Sequence, residues 1–61
     1  MYNISYANHI WSVFEDHEGK ITSSISLVDA IKTATDSEPM NTEFHVKFTR
    51  SGASQLRKLN P

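Results

Sequence analysis

The stretch His9–Asp16, "HIWSVFED", constrains the fold of this chain more than any other. It reads as a β-strand, yet its large apolar side chains fall on both faces, Trp11 and Val13 on one and Ile10 and Phe14 on the other, because successive strand residues point to opposite sides. A chain of 61 residues has little with which to cover two faces of a sheet. At this size only about 60% of the unfolded surface is buried on folding, and such domains commonly add disulfides, a metal or self-association. The absence of cysteine removes the disulfide, the thiolate zinc site and the thiol nucleophile together.

An apolar content of 38%, with two glycines and two prolines, places the chain among globular proteins. We treat residues 1–61 as one small α+β domain. No apolar run approaches the roughly 20 residues of a membrane span, and "MYNISYANH" lacks the basic start and apolar core of a secretory signal. The expected location is cytoplasmic. Residues 1–43 carry all seven acids against two bases, whereas residues 44–61 carry Lys47, Arg50, Arg57 and Lys58 and no acid. The two ends of the chain therefore set up opposite fields.

Hydrophobic periodicity outlines the elements. "MYNISY" alternates Tyr2, Ile4 and Tyr6 against Asn3 and Ser5, and Ala7-Asn8-His9 then interrupts. We expect a strand over 9–15, with 2–6 as its extension, either as a loose arm or through a bulge near Asn8. Gly19 supplies the positive φ of a hairpin loop, and "KITSSI" gives a second strand over 20–25. Ser26 as N-cap, with Asp29 three residues on, opens a helix over 27–36. Its stripe is Leu27, Ala30, Ile31 and Ala34, and Pro39 stops it. "TEFHVKFTR" alternates Phe44, Val46 and Phe48 with polar residues and is a third strand. Ser51-Gly52 breaks it, and "ASQLRKL" can make a terminal helical turn or two.

The expected architecture is β-β-α-β, a small three-stranded antiparallel/mixed sheet of order 2-1-3, with one helix on one face and a short C-terminal helix as an option. That face takes Ile21, Ile25, Phe44, Val46, Phe48 and one of the two apolar pairs of the first strand. The other pair is left for internal cover by Tyr2, Ile4 and Tyr6 or by Leu56 and Leu59, for a second copy in a homodimer, or for another protein.

Catalytic groupings are sparse. His9, His17 and His45 lie on three segments without the close spacing of a metal site, and the serines and threonines suit caps, turns and solvated strands. Two glycines make no phosphate loop. The expectation is a non-enzymatic protein with no cofactor, no metal and no small-molecule substrate. Its expected protein-binding surface is Ile10, Trp11, Val13 and Phe14, with Trp11 as the principal anchor, flanked by Glu15, Asp16 and Glu18 of the acidic hairpin tip. The alternative is weak, salt-sensitive nucleic-acid binding by a dimer through Lys47, Arg50, Arg57 and Lys58.

In element order, through "IWSVFED", "SLVDAI" and "FHVKF", the chain resembles very small phage-encoded inhibitors of host enzymes. It is also similar in order to short antitoxin domains with a partial ribonuclease H fold. What the resemblance implies is a regulatory, inhibitor- or adaptor-like binding protein.

Overall fold

Two residues with unusual backbone geometry decide the topology. In the computed structural model, which describes residues 1–17, 19–36, 38–39 and 41–59, Asn8 and His9 both take positive φ, 51° and 65°. Positive φ at both central positions marks the type I′ turn, whose twist suits strands joined by a two-residue loop. Asn and His are among the non-glycine residues that tolerate it. The segment 2–6 is therefore no extension of the next strand. It belongs to a strand of its own, β1 (Tyr2–Ala7), which turns back into β2 (Ile10–Glu15) with Ala7 opposite Ile10 and Ile4 opposite Val13.

The second hairpin follows expectation. Gly19 takes φ 64° and its N–H donates to the Glu15 carbonyl at 2.9 Å, and β3 (Lys20–Ser24) pairs antiparallel with β2. Helix α1 (Leu27–Thr35) starts at Ser26, whose hydroxyl accepts the Asp29 N–H at 3.3 Å. The N–H of Ser26 is itself taken by the Ser24 hydroxyl at 3.1 Å, so strand end and helix start are stitched together. After α1 the chain crosses the sheet to β4 (Val46–Phe48), parallel to β1, and ends in α2 (Arg50–Leu59).

The sheet is mixed and four-stranded, of order β3-β2-β1-β4, and this corrects the three-stranded 2-1-3 expectation. The strand holding "IWSVFE" is interior, but its neighbour on one side is β1, and the last strand pairs with β1 instead. That last strand is also shorter than "TEFHVKFTR" suggests, because β1 begins at Tyr2 and offers little ladder beyond it. The Tyr2 N–H takes the His45 carbonyl at 2.9 Å, and Phe44 leaves the sheet to set its ring edge-on against Tyr2, 5.7 Å between centroids.

Both helices lie on one face. The register puts Tyr2, Ile4, Tyr6, Trp11, Val13, Val46 and Phe48 on that side. Ile4, Trp11 and Val13 are buried there with Ala30 and Ala34 of α1, and Leu27, Ile31 and Leu56 pack around them. The terminal helix is longer than expected and begins by finishing the edge of β1 where β4 stops. The Thr49 N–H donates to the Ile4 carbonyl at 2.9 Å, and the Ser51 hydroxyl accepts the Tyr6 N–H at 3.2 Å. Gly52 is buried at this junction, where any Cβ would collide with the Ile4 carbonyl oxygen. Among the described residues no helix is long and apolar enough to cross a membrane.

Candidate functional site

The pairing that places Trp11 and Val13 under the helices turns the rest of the sheet's side chains outward. Trp11 and Val13 are 3% and 2% exposed, whereas Phe14 is 38% exposed, and Ile10 is half-buried on the same open face. Ile21 and Ile25, expected beneath the helix, are on the open side instead, 65% and 78% exposed. Pairing decides this: Ile21 stands opposite Phe14, and strand alternation carries Ile25 to the same side.

Three rows run across the open face, perpendicular to the strands. Lys47, Asn3, Phe14 and Ile21 form the first, Ser5, Ser12 and Ser23 the second, and Ala7 and Ile10 the third, with Ile25 next in line beyond Ile10. The middle row is short and polar, and the Ser12 and Ser23 hydroxyls are 3.2 Å apart. Phe14 and Ile10 stand four residues apart on β2, about 13 Å at about 3.3 Å per residue. The result is a shallow trough with apolar walls and a hydroxyl floor. Phe14 and Ile10 sit on β2, whose backbone is paired on both sides, and Ile21 sits on the edge strand β3.

The acids of the hairpin tip serve the fold. Glu15 alternates onto the helix side and pairs with the Met1 α-amino group at 3.4 Å. Asp16 accepts the Asn3 Nδ2 proton at 2.7 Å. Each ties the first hairpin together at its open end. Glu18 lies outside the described residues.

The bases are dispersed. Lys47 belongs to the open face by register, whereas Arg50, Arg57 and Lys58 are on α2, which covers the other face. Arg57 bonds its own helix through the Ala53 carbonyl, 3.4 Å from Nε. The positions of Arg57 and Lys58 in the last turn favour α2 itself, since cations there offset the helix dipole.

His9 is in the β1–β2 turn, at the opposite end of β1 from His45. His17 and His45 line one open cleft of about 250 Å³ with Glu38 and Glu43, and among the described residues no group of three such side chains is placed to hold a metal. A second, apolar cavity of about 200 Å³ lies on the helix side between Tyr2, Ile31, Phe44 and Val46. Both fall below the roughly 300–1,000 Å³ typical of small-molecule sites.

The trough escapes a sequence reading because it depends on register. The Asn8-His9 turn carries the missing signal, since placing it aligns Ser5 with Ser12, which the second hairpin aligns with Ser23. No protein-family model matches the chain, and neither a curated protein nor a solved structure matches it.

Proposed function

We propose that the chain is a small, non-catalytic binding module that seats an apolar segment of a partner protein in the trough of its open sheet face. The observation that carries this reading is the exposure of Phe14, Ile21 and Ile25 together on one side of a paired sheet. Scattered exposed apolar residues need no explanation, but a contiguous set on one face does. Covering what remains exposed of these three side chains contributes about 3–5 kcal/mol gross, at about 1.5–3 kcal/mol per fully exposed side chain, before the costs of association are subtracted. An inhibitor or adaptor acts in this way, by occupying a surface.

Phe14→Ser is the direct test. The side chain stands outside the core, so the variant retains its far-ultraviolet circular dichroism and its cooperative melt. Binding of a protein captured from host extract by the unaltered chain is then measured by calorimetry. A loss of at least about tenfold in affinity, or about 1.4 kcal/mol, is expected; equal affinity for both chains refutes the role of this face.

A further inference from the structure

We propose that the outer edge of β3 pairs antiparallel with the same edge of a second copy, about a two-fold axis at Ser23. The edge shares the Ile21 and Ile25 side chains with the trough, but its test reads self-association whereas the Phe14→Ser test reads binding of a second protein, so this inference and the proposed function can fail separately.

The backbone orientation of β3 follows from the bonds around it. Asp16 N–H donates to the Met1 carbonyl on the β1 side, and the Glu15 carbonyl accepts from Gly19 on the β3 side. Alternation along β2 then directs Ser12 and Phe14 towards β1, and Trp11, Val13 and Glu15 towards β3. Their partners Ser24, Thr22 and Lys20 bond inward. The N–H and C=O groups of Ile21 and Ser23 point away from the sheet; the ladder stops at Ser24 and the chain bends at Ile25.

This edge lacks the protection of its counterpart. β4 has three residues with Lys47 at the centre, and the part of β1 beyond it is taken by Thr49 and Ser51. β3 has five residues, and its only charge, Lys20, is at one end. An edge without a central charge, proline or bulge is a template for another strand.

The sequence of the edge is self-complementary in one register. Centred on Ser23, antiparallel pairing sets Ile21 opposite Ile25 of the second copy, Ser23 opposite Ser23, and Ile25 opposite Ile21. Ile21 and Ser23, the members of that set within β3, are the residues whose backbone points outward. Lys20 falls opposite Ser26, which keeps the two like charges apart. Centring on Thr22 instead matches Ile21 with Ser23 and leaves Ile25 unmatched. The Ser23-centred register also joins the two open faces: the serine rows become one, and each Phe14–Ile21 wall runs on into the Ile25–Ile10 wall of the other copy.

The lack of cysteine makes the register directly testable. Opposed residues of a hydrogen-bonded antiparallel pair have Cα atoms about 5.5 Å apart, within the span of a disulfide. In the full chain, Ser23→Cys is expected to oxidise to a covalent dimer, and Ser12→Cys is not. Light scattering across a concentration series is expected to show the unaltered chain passing from one to two copies. Ile21→Lys is expected to raise the dimer dissociation constant by about tenfold, since the two-fold axis counts each cross-strand pair twice. Adding Ile25→Glu, which the register places opposite that lysine, is expected to restore it. A single-copy mass at every concentration overturns the proposal, as does cross-linking through Ser12→Cys without Ser23→Cys, which would mean that sheets stack face to face.

Discussion

Gly52 shows how one missing side chain fixes the position of an element. Helix α2 approaches β1 so closely that a Cβ at this residue would meet the Ile4 carbonyl oxygen, with the Phe48 ring 3.4 Å away on another side. Backbone cannot yield as a flexible side chain can, so Gly52→Ala must push the helix off the strand. Overpacking of this kind costs about 1–3 kcal/mol. In a domain of this size the melting temperature is expected to fall by about 4–8 °C for each kcal/mol, which a calorimetric scan would measure. A melting temperature raised by Gly52→Ala would show that the close approach is not a constraint. The same change at Gly52 enhances α2's intrinsic helix propensity by about 1 kcal/mol, so a fall in stability isolates the contact from the propensity.

At the scale of elements, the β1–β2 hairpin carries a local strain. His9 holds φ at 65°, where a non-glycine residue gives up about 1–2 kcal/mol. Glycine relieves that cost and loses about 0.4–1 kcal/mol of it to unfolded-state entropy. His9→Gly is therefore expected to raise the urea midpoint by a net gain of up to about 1.6 kcal/mol, and His9→Val to lower it. Identical midpoints would count against the turn assignment. This hairpin also marks where sequence reading stops. Helix α1 is legible because its signals are local: a capping serine, an acid three residues on, and an apolar stripe from Leu27 to Ala34. The turn is not, because Asn-His lacks the glycine that usually announces a type I′ loop. With the turn unread, β1 merges into β2 and the last strand is assigned to the wrong neighbour. Ile21 and Ile25 illustrate the cost: their alternation is plain in "KITSSI", but which face they join depends on a partner strand that periodicity alone does not name. The division of the opening cluster into two pairs was readable, whereas the pair that α1 covers was not.

For the whole molecule, the two halves of that cluster separate stability from binding. At about 0.05–0.15 kcal/mol per residue, a chain of 61 residues has about 3–9 kcal/mol to lose. Trp11 is buried against Tyr6, with ring centroids 4.8 Å apart, and Trp11→Ala removes about 3–5 kcal/mol. The variant is expected to lose about a third or more of the chain's stability, read as a lowered urea midpoint by circular dichroism, in contrast to Phe14→Ser. An unchanged midpoint for Trp11→Ala would mean that the core holds without its largest side chain. Topology adds a constraint of timing. The Tyr6 N–H finds its acceptor in Ser51, 45 residues further along, and at about 5–20 residues per second of synthesis that interval lasts several seconds. Throughout it, one flank of β1 has no covalent neighbour able to satisfy it. Newly made copies on the same messenger are thus at their most vulnerable to one another before release, and slower elongation lengthens the exposure.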